Sequence, residues 1–175
     1  MLKASGITVA TAIGAVLVTA AFQPDRFAVS RSTTIAAPPE RIFDLISDFH
    51  RWQAWSPYER LDPAMRRRFS GAAQGAGAVY EWEGNAKAGK GRMTILPTRS
   101  PAGVAIRLDF EKPLEAHNVA TFTLEPHGGS TTVTWAMEGP TPYPGKVIHL
   151  FLDMDRLVGR DFETGLTNLK TIAER

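Results

Sequence analysis

Residues 48–57 read Asp48-Phe49-His50-Arg51-Trp52-Gln53-Ala54-Trp55-Ser56-Pro57. This segment holds two of the chain's four tryptophans and one of its four histidines, and it ends at a proline. A short helical pattern precedes it and a run of strand patterns follows, so it marks the passage from helix into sheet. Large aromatic rings at such a junction either close a core or line the mouth of a cavity.

Working toward the N-terminus, Ile42, Phe43, Leu45, Ile46 and Phe49 give a short helix an apolar face. Pro38-Pro39-Glu40 opens that helix, because proline suits the first turn and glutamate its dipole. Asp48 then begins a second short helical turn. Before the helix, Phe27 to Ala36 reads as a strand with Phe27, Val29 and Ile35 on one face. Toward the C-terminus six strand patterns follow: Met65–Gly71, Ala78–Gly84, Gly91–Leu96, Gly103–Phe110, His117–Glu125 and Thr131–Glu138. Val104, Ile106, Leu108 and Phe110 alternate strictly with Ala105, Arg107 and Asp109. Short turns at Asn85–Lys90, Thr98–Gly103, Lys112–Glu115 and Pro126–Gly129 join them, as hairpins require. Clean alternation predicts an antiparallel meander with one buried and one wet face. The Pro-rich stretch Gly139–Gly145 reads as a stiff connector. Beyond it, apolar residues recur at three and four from Val147 to Ile172, which predicts one helix of about 28 residues, about 42 Å long.

The chain has 175 residues, 43% of them hydrophobic and 22% charged, which fits one globular domain plus an accessory segment. A net charge of +2 argues against nucleic acid as a partner. The basic run Arg66-Arg67-Arg68 reads as a solvated strand, with an anionic contact such as lipid headgroups as the alternative. With no cysteine there is no disulfide, thiol catalysis or thiolate-held metal. Ala4 to Phe22 carries no charge, and about 19 helical residues span nearly 30 Å. Residues 1–24 therefore read as an uncleaved transmembrane anchor, a single hydrophobic helix that crosses the membrane through residues 4–22, and residues 25–175 as the folded domain. A cleaved signal peptide is the rival, given Lys3 and the small residues Thr19-Ala20-Ala21. Arg26, Arg31 and Arg41 favour a cytoplasmic domain, whereas the very short N-tail favours export, and the second argument is preferred.

The element order is strand, two short helices, six strands and a long helix. It resembles the helix-grip fold of the START-like (SRPBCC) superfamily, which includes polyketide cyclase/dehydrase-like proteins. The resemblance rests on Arg31-Ser32 and Ile35 leading to Ala37-Pro38-Pro39-Glu40, and on Asp48-Phe49 with Trp52 and Trp55-Ser56-Pro57. It continues through Gly91-Arg92-Met93-Thr94-Ile95, Val133-Thr134-Trp135, and Asp153-Met154-Asp155 by way of Val158-Gly159 to Asp161-Phe162-Glu163. It spans residues 27–173. The implied fold is α+β: a curved antiparallel sheet of about seven strands, with the long C-terminal helix across its concave face. The resemblance implies a cavity for an apolar or amphipathic molecule and selects no single activity.

No nucleophile elbow, zinc-protease motif, phosphate loop or dinucleotide fingerprint is present. His50, His117, His127 and His149 lie on four different elements without metal-ligand spacing. Asp153 and Asp155 diverge on a helix, and Glu81 and Glu83 share a wet strand face, so paired-carboxylate chemistry is not supported. The expectation is a binding domain for a lipid, isoprenoid or aromatic molecule, with no cofactor, no metal and no catalytic residue. Its candidate lining is Trp52, Trp55, Tyr80, Trp82, Met93, Ile106, Phe110, Phe122, Trp135, Met154, Val158 and Phe162. Trp52 and Trp55 are expected as a wall at one end of the sheet. The sheet aromatics are expected to project toward Met154, Val158 and Phe162 on the long helix. The alternative is an aromatase/cyclase-like enzyme, which needs an inward ionisable group from among His117, Glu111 and Arg107.

Overall fold

A computed structural model describes residues 2–97 and 103–175, with side chains from residue 12 onward. The expected turn Thr98–Gly103 lies almost wholly outside the described residues, as do the side chains of the first half of the expected anchor. Helix α1 runs Leu2–Ala21. Among the described residues, no helix is long and apolar enough to cross a membrane.

Seven strands follow: β1 (Arg26–Ile35), β2 (Arg66–Gly71), β3 (Ala78–Glu83), β4 (Lys90–Ile95), β5 (Gly103–Lys112), β6 (Ala116–His127) and β7 (Ser130–Pro140). They form one antiparallel sheet in the order β1-β7-β6-β5-β4-β3-β2. The meander from β2 to β7 is what period-two alternation favours, since each hairpin keeps the same face turned inward. β1 closes on β7, with Phe27 opposite Gly139 and Ile35 opposite Thr131. Gly91 is required by close packing: the Trp82 ring lies 2.5 Å from where a Cβ would stand.

Between β1 and β2 the chain makes more helical pieces than the two expected. Helix α2 (Pro39–Ser47) starts after Pro38 and buries Ile42, Leu45 and Ile46. Asp48 adopts an extended conformation and accepts the His50 N–H at 2.9 Å, which ends α2 and caps a 3-10 turn over Phe49–Arg51. Helix α3 (Trp52–Trp55) follows at once. Ser56, held extended before Pro57, separates it from a second 3-10 turn at Pro57–Arg60.

The C-terminal helix is not continuous. It divides into α4 (Tyr143–His149), which begins inside the expected connector, and α5 (Met154–Ala173). The break comes at Asp153, whose extended backbone and carboxylate cap the Arg156 N–H at 3.0 Å. An aspartate that bonds locally in this way competes with helix continuation. Helix α5 lies along β1 and touches β7, α2 and α3. Arg31 on β1 reaches up to Asp155 at 2.9 Å and Glu163 at 2.8 Å, which fixes the helix on that edge. The concave face over β5 and β6 is covered by α2 instead, and that of β3 by the Phe49–Arg51 turn. The expectation that the sheet aromatics all face the C-terminal helix is therefore corrected. Of those rings only Trp135 stacks on Phe162, at 4.1 Å, while the others meet rings of the Phe49–Trp55 segment or of the sheet itself.

Candidate functional site

Nine rings form an unbroken row across the concave face: Phe162, Trp135, Phe122, Trp55, Trp52, Phe49, Tyr80, Trp82 and Phe110. Successive centroids lie 4.1 to 6.1 Å apart, within the range of favourable aromatic pairing. Trp52 and Trp55 stand at the middle of this row, against Phe122 and Trp135 in mid-strand, rather than at one end of the sheet. Of the expected lining residues, nine are buried in one contiguous cluster: Trp52, Trp55, Tyr80, Trp82, Met93, Ile106, Phe122, Trp135 and Phe162. Phe110 and Val158 are partly buried against that cluster. Met154 is partly exposed at the start of α5.

The polar tips of these rings differ in what they meet. Trp52 Nε1 donates to the Ile46 carbonyl at 2.9 Å and Trp55 Nε1 to the Leu45 carbonyl at 3.1 Å. Both acceptors belong to the last turn of α2, where carbonyls lack helical partners. Trp82 Nε1 donates to the Ala88 carbonyl at 2.9 Å, and the Tyr80 hydroxyl to Glu59 at 2.6 Å. Trp135 Nε1 is different: it is buried and has no partner among the described residues, and the same holds for Asn118 Oδ1 on the same inner face. A buried orphan of this kind costs about 1–3 kcal/mol. Beside Trp135, at 6.2 Å between centroids, lies Tyr58. Burial pushes the Tyr58 phenol above its ordinary range, with repulsion from Asp161 adding to it. Desolvation also raises the Asp161 carboxyl.

One buried ion pair was only half legible in the sequence. The triplet Arg66-Arg67-Arg68 divides by alternation: Arg66 and Arg68 pair with Glu83 and Glu81 in solvent. Arg67 turns inward and meets Glu59 at 2.7 Å, with the Glu59 side chain only 6% exposed. The inward turn follows from strand period, but its partner on the Pro57–Arg60 turn is a long-range contact.

The three candidate proton-exchanging residues face away from the aromatic row. Arg107 and His117 flank Asp109 on the outer face, and Glu111 pairs with Lys90 in solvent. Asp153 caps α5 and Asp155 holds Arg31, so the two do not converge. Among the described residues no cluster of three or more His, Asp or Glu is placed to hold a metal ion. His117 Nδ1 donates to the Asp109 carboxylate 2.8 Å away, and this bond chiefly raises its pKa above the ordinary 6.5. Its contribution to stability is complete below pH 6.5 and fades as pH rises through the raised value. A ring-proton NMR titration should therefore find the His117 midpoint above 6.5, and Asp109→Asn should lower it.

Two concavities among the described residues lie at the surface. One, of about 400 Å³, is lined by His149 to Met154 at the α4–α5 break. The other, of about 460 Å³, lies between the β3–β4 turn and Lys112-Pro113. Met154 alone of the expected lining borders either.

Comparison with solved structures places the same fold in distant proteins. Protein CV1439 from Chromobacterium violaceum superposes with a TM-score of 0.60 at 17% identity, over 87% of this chain and 99% of its own. The Aha1 dimer from Colwellia psychrerythraea gives 0.60 at 16% identity, over 85% and 96%. TTHA0849 from Thermus thermophilus gives 0.58 at 19% identity, over 83% and 95%. A search of curated proteins gave no match. The model of the polyketide cyclase / dehydrase and lipid transport family matches residues 26–174, so the seven strands, α2 to α5 and the whole aromatic row fall inside it. This chain belongs to that family.

Proposed function

We propose that residues 25–175 bind a hydrophobic or amphipathic small molecule without transforming it, and that residues 1–24 tether this domain to a membrane through α1. The observation that carries the binding reading is the orphan Trp135 Nε1, the one of four indole donors without an acceptor among the described residues. A ligand oxygen placed there would relieve the unmet donor, while Phe162 and Phe122 flank the ligand with apolar surface. The twelve residues expected to line the site divide accordingly. Trp52, Trp55, Tyr80 and Trp82 have committed polar tips and serve as fixed walls. Met93, Ile106, Phe110, Phe122 and Phe162 offer apolar contact, Met154 borders the way in at the α4–α5 break, and Val158 follows it one turn along α5. The outward placement of His117, Glu111 and Arg107 weighs against the cyclase-like alternative.

The tether is supported by the exposed apolar side chains Ile13, Leu17, Val18 and Phe22. A tethered site gains effective concentration for membrane-derived ligands. On this reading the domain lies outside the cytoplasm, and protease treatment of intact cells should digest it. Native mass spectrometry of the full chain purified in detergent should reveal a co-purifying small molecule. Trp135→Phe should weaken retention of that molecule about tenfold, on the order of one hydrogen bond. A chain that carries no bound mass, and whose melting temperature responds to no lipid or aromatic compound, would overturn the reading.

A further inference from the structure

Exposed apolar side chains are not spread evenly over this molecule. The strand register places the β3–β4 turn, the β5–β6 turn, the end of β7 and the start of β1 at one end of the sheet. Helix α4, the α4–α5 break and the end of α1 are at the same end, because Tyr143 donates to the Leu17 carbonyl at 2.7 Å and Lys146 meets Asp25 at 2.6 Å. Every large exposed apolar side chain among the described residues lies toward this end. Phe22 at 84% and Phe151 at 71% are the most exposed; Tyr143 and Leu152 belong to α4 and the α4–α5 break, Leu157 to the first turn of α5, Leu114 to the β5–β6 turn, and Leu61 lies beside the β3–β4 turn. Among the described residues of the opposite end, which include the β2–β3 loop, the β6–β7 turn and the β1–α2 junction, none is found.

We propose that this end of the domain is a lipid-docking face, so that the bilayer holding α1 also receives the Phe151-Leu152 break and the Leu114 turn. The proposal rests on the tethered binding reading and adds the orientation of the domain. Three observations select a bilayer over a protein partner. The face is continuous with α1, whose own exposed positions Ile13, Leu17 and Val18 are apolar. Its apolar side chains sit on separate turns rather than on one flat patch, which suits insertion into a fluid interface. Finally, the exposed Lys112 and Arg156 lie close to Leu114 and Leu157 along the chain with no acidic partner among the described residues, so that lipid phosphates could pair with them. The nearby acids are largely engaged, Asp153 as the α5 cap and Glu115 at 3.4 Å from His117.

Docking in this orientation would turn the cleft at His149–Met154 toward the lipid. The inner-face residues Phe27, Leu108, Phe110 and Val158 are only partly buried, and an apolar ligand could reach them without crossing water.

The absence of cysteine allows single labels. The full chain would carry one cysteine at Val18, Leu114, Phe151 or His127, each bearing an environment-sensitive fluorophore. It would be reconstituted into phosphatidylcholine–phosphatidylglycerol vesicles with nitroxide on the acyl chains. Quenching at Leu114 and Phe151 as strong as at Val18, with His127 unquenched, is the expected result. Quenching at Val18 alone overturns the docking face and leaves the tether standing. Quenching at Leu114 and Phe151 without Val18 upholds the face and removes the tether. Burial of the Phe151 label that grows with protein concentration in the absence of vesicles means a second copy covers the face, and overturns the proposal.

Discussion

Replacing Trp55 with alanine should lower the unfolding free energy by about 3–5 kcal/mol. That is a large part of the roughly 5–15 kcal/mol that holds a domain folded. The side chain is fully buried, with ring centroids 4.8 Å from Trp52, 5.6 Å from Trp135 and 5.9 Å from Phe122. Removing it takes the centre out of the aromatic row and leaves three large rings facing a void. It also unmakes the bond to the Leu45 carbonyl, freeing the end of α2. Trp55→Phe separates these effects. It keeps most of the apolar surface and leaves the carbonyl unpaired, for about 1–3 kcal/mol. Urea unfolding at unchanged m-value measures both. A cost below about 1 kcal/mol for the alanine variant would mean that the neighbours close over the gap, as walls of an adaptable pocket do and a packed core does not.

The strands were legible because burial is one-sided. Val104, Ile106, Leu108 and Phe110 alternate with polar or small residues, and a one-residue slip would turn all four to water. The break between α4 and α5 was hidden for the opposite reason. Apolar residues keep helical spacing through Phe151 and Met154, yet Phe151 is exposed, and the deciding group is the Asp153 carboxylate. Composition marked the aromatic segment as important and could not say what its indoles would do. The donors of Trp52 and Trp55 find their acceptors only once α2 has folded back beside α3. The orphan at Trp135 is legible in no sequence pattern, because a missing acceptor is a property of the whole surroundings. The Arg66-Arg67-Arg68 run misled through its outer members, which are indeed solvated, while the middle residue had a buried partner eight positions upstream.

That partner makes the second large effect. Glu59→Ala should cost about 3–5 kcal/mol, since it leaves the inward guanidinium of Arg67 without its counter-charge. Glu59 accepts from Arg67 at 2.7 Å and from the Tyr80 hydroxyl at 2.6 Å, and Arg67 also donates to the carbonyls of Met65 and Glu59. Burial, and then the Glu59 carboxylate, hold the Tyr80 proton in place by raising its pKa. Glu59→Gln keeps an acceptor for Tyr80 and loses the charge, so it should fall between wild type and alanine. Replacing Glu59, Arg67 and Tyr80 together with Leu, Met and Phe should recover most of the lost stability, because desolvation of the charges disappears along with their attraction. Unfolding midpoints of wild type and the three variants test the ordering. The network ties the Pro57–Arg60 turn to β2 and β3, and Pro57 in turn approaches α5 at Gly165, where the Trp135 ring also lies close. If the triple apolar variant is stable but retains less small molecule in native mass spectrometry, the ion pair acts by positioning Tyr58 and Trp135. If retention is unchanged, it serves the fold alone.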